Sequence, residues 1–271
     1  MTSPPPIALT IAGSDSGGGA GIQADLRTFH AFGVHGTSVI TALTAQNTLG
    51  VHGVHAAPLA MVEAQLDAVA TDLRPGGVKS GMLATAELVE AVAAGLDRHG
   101  LEEYVLDPVM VATSGDRLLD ADAEASVARE LVPRAALVTP NLHEAEILTG
   151  MSVVSVEDMR RAADLLLEAG AGAVLMKGGH RSGDEIVDLL CHGAGERVWR
   201  RRRVDTPHTH GTGCTLSAAA AAGLARGWPL EAAVARAVDY VARAIQAAPG
   251  LGGGRGPVNH FVDALADEPA S

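Results

Sequence analysis

Two cysteines in 271 residues, Cys191 and Cys214, give no disulfide framework and point to a reducing compartment. Lysine is almost missing: Lys79 and Lys177 stand alone against many arginines, a genomic kind of bias that makes each retained lysine worth following. Positive charge is short as well. The net charge of −12 argues against nucleic acid or an anionic membrane as the main partner. No apolar run approaches the ~20 residues of a membrane span. No Lys or Arg precedes Arg27, so a secretory or transit signal is not expected. A soluble, cytoplasmic protein with small-molecule partners is the expectation. The length suits one large α/β domain, and without an internal repeat, long linker or composition break a single domain is expected over 1–271.

The stretch Thr206-Pro-His-Thr-His-Gly-Thr-Gly-Cys-Thr-Leu-Ser217 organises the rest. It runs through two glycines into the alanine run Ala218–Ala222, which reads as helix. A glycine turn opening a helix aims unpaired N–H groups one way, at the positive end of the helix dipole, and such an end binds anions. Cys214 falls at that start, where a thiol pKa is expected to be lowered. A plain glycine loop with an inert cysteine fits the same letters.

Around it the chain alternates strand and helix. Ile7–Ala12 reads as a buried strand, leading through a glycine loop from Gly13 to Gly21 into a helix from Ile22 to Phe32. Gly19-Ala-Gly-Ile-Gln-Ala24 fits a relaxed dinucleotide pattern, but no acidic residue lies between Asp25 and Glu63, where one should bind the ribose. A Gly-Lys-Ser/Thr phosphate loop is absent too. What remains is a mobile, close-approach loop carrying Asp15 and Asp25, suited to covering a small ligand, or a structural turn. Thr37–Asn47 reads as a strand, followed by His52 and His55 as ordinary loop histidines. Helices are expected at Leu59–Leu73, Ala86–Arg98, Ala121–Leu131 and Val156–Ala169, with strands between them. The repeated units imply a mostly parallel sheet with helices on both faces. Gln46, Ser80, Asp107, Asn141 and Lys177 end successive strands, so they should lie along one edge, where such sheets bind ligands. Ile186–Leu190 and Glu196–Val204 read as antiparallel strands. The basic run Arg200–Arg203 fits an exposed edge strand guarded by charge better than a nucleic-acid patch, since no aromatics interleave it. Helices from Thr215 to Arg226 and from Leu230 to Ala247 close the pattern.

Asp107, Asn141 and Glu144 are hard oxygen ligands of the sort that hold Mg²⁺ with waters and substrate phosphates. Asn141 and Glu144 open one helix about a turn apart. Lys177 can reach a phosphate as a point charge. An anion-binding helix end, a lysine and Mg²⁺-type oxygens are the parts of phosphoryl transfer.

At this point the sequence resembles the bacterial hydroxymethylpyrimidine/phosphomethylpyrimidine kinases of thiamine biosynthesis, in the ribokinase-like superfamily. The resemblance rests on Thr10–Asp25, Thr41–Asn47, Asp107-Pro-Val-Met, Thr139–Glu146, Met176-Lys-Gly-Gly-His and His210-Gly-Thr-Gly-Cys-Thr, taken in order. It implies a ribokinase-like α/β fold, its mostly parallel central sheet flanked by helices, with a small β extension. It also implies an ATP- and Mg²⁺-dependent kinase that phosphorylates 4-amino-5-hydroxymethyl-2-methylpyrimidine and then its monophosphate. Carried over, Gln46 hydrogen-bonds the aminopyrimidine, with Asp25, Met82 and Val109 near it. Gly211, Thr212 and Gly213 form the anion hole, Asp107 and Glu144 the Mg²⁺ shell, and Lys177 contacts phosphate. Most of the superfamily has Asp where Cys214 stands, which leaves the base open. A homodimer is expected by the same resemblance. Pyridoxal kinases of the same fold are the rival enzyme reading, and a non-catalytic pyrimidine-binding regulatory protein is the rival of another class.

Overall fold

The expected alternation is realised, in a computed structural model described over residues 4–110, 121–180 and 183–266, as one nine-stranded sheet. The elements run β1 (Ile7–Asp15), α1 (Gly21–Ala31), β2 (His35–Asn47), β3 (Gly50–Ala56), α2 (Leu59–Asp72), β4 (Gly77–Ser80), α3 (Ala86–His99) and β5 (Tyr104–Leu106). They continue with α4 (Ala121–Ser126), β6 (Leu137–Val138), α5 (Leu142–Thr149), α6 (Val156–Glu168), β7 (Ala173–Met176), β8 (Glu185–His192), β9 (Gly195–Arg202), α7 (Thr212–Ala225) and α8 (Leu230–Gln246). The spatial order is β3-β2-β1-β4-β5-β6-β7-β8-β9. The six strands from β2 to β7 are parallel, and an antiparallel partner closes each side, β3 at one and the β8–β9 hairpin at the other.

β1 is apolar without interruption because both its faces are covered. Leu9 and Ile11 turn to a core shared with α2, α3 and α6, while Ala8 turns to a second core under α1, α7 and α8. In α7 the run Ala218–Ala222 is wholly buried. Alanine lets the helix lie close on the strands: a Cβ on Gly77 of β4 would come within 2.4 Å of the Ala221 carbonyl. Local signals set the ends of other helices. Ser155 and Asp158 form a reciprocal cap at the start of α6, and Gly100 ends α3 in the left-handed region.

Three expectations need correction. Residues 50–56 form strand β3, so His52 and His55 are exposed strand residues rather than loop ones. The helix expected over Ala121–Leu131 is α-helical only to Ser126, then widens into a π-turn over Val127–Leu131 and a tight turn over Val132–Arg134, where Pro133 has no N–H to donate. Helix α7 begins at Thr212, three residues early, which brings Gly213 and Cys214 inside its first turn. The arginines of β9 behave as an edge strand should: Arg200 pairs with Glu185 at 2.8 Å and Arg201 with buried Asp188 across the hairpin.

Candidate active site

The polar strand ends do fall on one edge. Asp107 N–H donates to Ser80 O at 3.1 Å, Lys177 N–H donates to Pro140 O at 2.9 Å, and Asn141 and Lys177 are bridged in parallel. β1 has β2 on one side and β4 on the other, so the chain reverses its winding there and opens a crevice at the strands' C-terminal ends. The start of α7 enters this edge. Gly211 caps the helix at φ +81°, and a Cβ there would lie 1.8 Å from Gly19 O, so only glycine fits. No side chain caps the end, and although Thr212 N–H turns back to Thr209 O at 3.3 Å, the positive end of the dipole faces the crevice. Thr212 Oγ1 donates to Thr209 O at 2.7 Å and braces the turn. A Cβ on Gly213 would meet Lys177 Nζ at 3.3 Å and the Asp107 carboxylate at 3.8 Å, so the bare glycine keeps the space over these two groups open.

Below that space three charges share one site. Lys177 Nζ lies 3.0 Å from Asp107 Oδ1 and 3.6 Å from Glu144 Oε2. Ser217 Oγ donates to Asp107 Oδ2 at 3.2 Å. Burial would raise the Asp107 carboxyl, but the charges of Lys177 and Lys79 and the hydrogen bonds from Lys177 and Ser217 hold it below its ordinary value. Glu144 goes the other way. Burial, with the Asp107 charge added and Lys177 opposing, pushes it up to about 7. Lys177 is held above its ordinary value: burial works against its charge, and the two carboxylates outweigh it. Asn141 and Glu144 are further tied in a capping box. Asn141 Oδ1 accepts from Glu144 N–H at 2.9 Å, and Glu144 Oε2 accepts from Asn141 N–H at 2.7 Å. The Asn141 oxygen is thus engaged by the helix, and its link to a metal shell runs through Glu144.

Among the described residues no group of three or more His, Cys, Asp or Glu could hold a metal by itself. Two carboxylates beside an anion-binding turn still fit Mg²⁺, which keeps most of its waters and binds one or two carboxylates together with substrate phosphates.

Cys214 corrects a further expectation. Its thiol accepts from Gly21 N–H, at the start of α1, and Lys79 favours its ionised form, yet burial dominates and the carboxylates of Asp25 and Asp107 add to it. The thiol is pushed up to about 11 instead of down. The helix end alone does not decide the charge of a side chain packed among acids.

Lys79 and Asp25 form the floor. They pair at 2.9 Å with both side chains 0% exposed. Thr10 Oγ1 donates to Asp25 Oδ2 at 2.6 Å, and Asp25 Oδ1 is buried without a partner. Burial pushes the Asp25 carboxyl up against the pull of Lys79 and Thr10, while Asp25 holds the Lys79 ammonium charged against burial. Sequence reasoning noticed Lys79 without giving it a role. The available signal was a charge inside a strand expected to be buried on both faces, which requires a partner.

At the β2 end, half-buried Gln46 lies between Thr44 and His210. Its amide is 3.3 Å from His210 Nε2 and 3.2 Å from Thr44 Oγ1. His210 Nε2 is also 3.0 Å from Asp15 Oδ2, and Asp15 takes the N–H groups of Gly17, Gly19 and Ala20 at 2.8–2.9 Å. Burial would raise Asp15; the hydrogen bonds from His210, Ala20 and Gly17 outweigh it and hold the carboxyl low. The glycine loop, Gln46 and the anion turn are therefore joined through His210, a residue that sequence reasoning left unassigned. Met82 and Val109 are half-buried on the same edge: Met82 O accepts from Thr41 Oγ1 at 2.9 Å, and Val109 N–H donates to Asp107 O at 2.8 Å.

The family model for phosphomethylpyrimidine kinase matches residues 15–259, which takes in every one of these groups except the Thr10 end of the floor. The chain belongs to the phosphomethylpyrimidine kinase family. Membership makes it an ATP-using phosphotransferase with a ribokinase-like fold. A hydroxymethylpyrimidine/phosphomethylpyrimidine kinase of Rhizobium meliloti is 55% identical over 258 residues, covering 94% of this chain and 97% of that one. Among solved structures, a phosphomethylpyrimidine kinase of Clostridium difficile is similar with a TM-score of 0.80 at 41% identity, covering 88% of this chain and 99% of that one. The ADP complex of Bacillus subtilis pyridoxal kinase is similar with a TM-score of 0.88 at 37% identity, covering 94% and 97%.

Proposed function

We propose that the protein phosphorylates the hydroxymethyl group of 4-amino-5-hydroxymethyl-2-methylpyrimidine with ATP and then phosphorylates the monophosphate, as a thiamine-pathway enzyme of the cytoplasm built as one domain. The observation that carries this reading is Gln46 on the same sheet edge as the Gly211–Gly213 turn and the Asp107–Lys177 pair at 3.0 Å. In it, Gln46 hydrogen-bonds the aminopyrimidine edge, and Met82 and Val109 supply apolar contact. Asp25 Oδ1 is the unpaired acceptor beneath. The N–H groups of Gly211, Thr212 and Gly213 receive the transferring phosphoryl group, and Lys177 offsets its charge. Mg²⁺, held with waters by Asp107 and by Glu144 under its Asn141 cap, would neutralise phosphate charge. Cys214 takes the alcohol proton as its thiolate, late in a loose transfer.

Pyridoxal kinase is the second reading, and the high structural similarity to the Bacillus subtilis pyridoxal kinase favours keeping it. Incubation with ATP and Mg²⁺ and each candidate alcohol, with products identified by mass, separates the two. Phosphorylated pyridoxal without phosphorylated pyrimidine would overturn the first reading, and no product from either would favour the regulatory one. A homodimer is proposed as well: Leu43, Leu49 and Val54 on the β2–β3 hairpin are each at least half exposed, with Leu43 and Val54 on opposite faces of the ribbon, so a second copy that encloses the hairpin would cover them. A monomer by sedimentation at micromolar concentration would contradict it.

A further inference from the structure

Each neighbour of the Gln46 amide can be solved for its hydrogen. Asp15 Oδ2 already accepts from Gly19 and Ala20 and faces His210 Nε2 at 3.0 Å. An ionised carboxylate only accepts, so His210 Nε2 carries the hydrogen. On the other flank, Thr44 Oγ1 lies 2.9 Å from Ser14 O, another pure acceptor, so the Thr44 hydrogen is committed there. Toward Gln46 Thr44 then presents only lone pairs. The one Nε2 hydrogen is held by Asp15 and can only be shared with the amide, but a protonated Nε2 has no lone pair to offer an NH₂ at 3.3 Å, while an acceptor faces the amide at 3.2 Å on the other flank. The two ends of an amide have the same outline, so their places follow from their partners. Both partners demand the same answer: oxygen toward His210 and NH₂ toward Thr44, half a turn from the arrangement with nitrogen at His210. Among the described residues the amide has no other hydrogen-bond partner.

This orientation matters because an aminopyrimidine carries an acceptor ring nitrogen beside a donor amino group, an edge that a side-chain amide meets with two hydrogen bonds. With the amide oxygen at His210, the amino group lies on that side and the ring nitrogen lies toward Thr44. The hydroxymethyl group sits on the carbon adjoining the amino-bearing one, so it too falls on the His210 side. The residues that follow His210 are the Gly211–Cys214 turn. The opposite amide orientation would turn the alcohol away.

We infer, on the premise that the substrate is the aminopyrimidine alcohol proposed above, that His210 is a positioning residue. Held by Asp15 and acting with Thr44, it orients the Gln46 amide so that the ring lies in one sense only, with its alcohol toward the anion turn.

Two measurements test this. In substrate-free protein, ¹⁵N NMR should find His210 Nε2 protonated at neutral pH; a bare Nε2 overturns the inference whatever the substrate is. The kinetic test compares the amino alcohol with the analogue that has a ring carbonyl in place of the amino group and a hydrogen on the ring nitrogen, which reverses the edge. The unmodified enzyme should prefer the amino compound in kcat/KM by about 10- to 100-fold. His210→Leu removes the shared N–H and leaves Thr44 alone to orient the amide, so the ratio should fall several-fold without reaching one. His210→Gln places an N–H donor at similar reach and should restore it. General damage to the fold would lower both substrates alike and leave the ratio standing. An unchanged ratio in His210→Leu, or equal use of both compounds by the unmodified enzyme, overturns the inference. Turnover of neither compound removes the premise and the inference together, while the NMR result still stands as a separate fact.

Discussion

Lys79→Met tests how the floor of the site is built. The Lys79–Asp25 pair is 2.9 Å long and both side chains are 0% exposed, so neither charge can turn to water. At an effective dielectric constant of ~20 the attraction is ~6 kcal/mol. Desolvation costs several kcal/mol per ion, so the intact pair adds little over an apolar one. Breaking it is different. Methionine would leave Asp25 in place with only the Thr10 hydroxyl at 2.6 Å and with Oδ1 still unpartnered. The expected loss is ~3–5 kcal/mol, or a fall in Tm of about 6–20 °C. Burial already raises the Asp25 carboxyl, and without Lys79 it rises further. A carboxyl raised in the folded state contributes stability at low pH that is lost as pH climbs through its folded value, so the penalty should shrink on acidification. Replacing both partners, Lys79→Met with Asp25→Leu, should recover most of the loss. Urea and thermal unfolding at several pH values supply the readout. A loss under ~1 kcal/mol in Lys79→Met, or a double variant as unstable as the two singles added, would refute the reasoning.

Three further outcomes are expected. Glu144, raised from 4.5 to about 7, gives stability that is full below pH 4.5 and lost as pH rises through about 7. Glu144→Gln should therefore match the parent in acid, exceed it above pH 7 by up to roughly 3 kcal/mol, and need more Mg²⁺ for turnover; superimposable stability–pH curves would count against it. Cys214→Ala should lower kcat by ~10²–10⁴, and because burial raises the thiol to about 11, the parent kcat should climb with pH from 6 to 9 while the variant stays flat; parallel profiles remove Cys214 as base. Gly213→Ala should fold normally but lose turnover, whereas Gly211→Ala, at φ +81° and 1.8 Å from Gly19 O, should lose ~1–3 kcal/mol of stability as well; equal melting of the two variants would refute the distinction.

Much of the fold was legible because its signals are local. Buried strands such as β1 and the alternating helices could be placed from period alone, and the register of Ser80, Asp107, Asn141 and Lys177 follows from parallel connection. β3 was not legible, since an exposed edge strand reading Gly-Val-His-Gly-Val-His has no apolar face to betray it. The motifs located the edge of the site but not its electrostatics. Lys79 and Asp25 lie 54 residues apart, and His210 and Asp15 lie 195 apart. No local pattern announces such pairs. The charge state of Cys214 was misjudged for the same reason: the helix start is written in the sequence, and the buried acids around it are not.

Helix α7 carries a consequence for how the protein can move. Its alanines are packed against β1, β4 and β5 on one side and against α1 and α8 on the others, with Gly77 keeping the sheet clear of its backbone. A rod seated so closely cannot slide or tilt without opening voids along its length. Its first turn is a stationary reference point, and the donors there meet the phosphoryl group without reorganising. The loop between β1 and α1 abuts this fixed turn, with Gly19 O against Gly211, and its own shape is held by hydrogen bonds to Asp15. Heating or mild denaturant should loosen that loop before the helix, so affinity for the alcohol should decline while α7 is still seated.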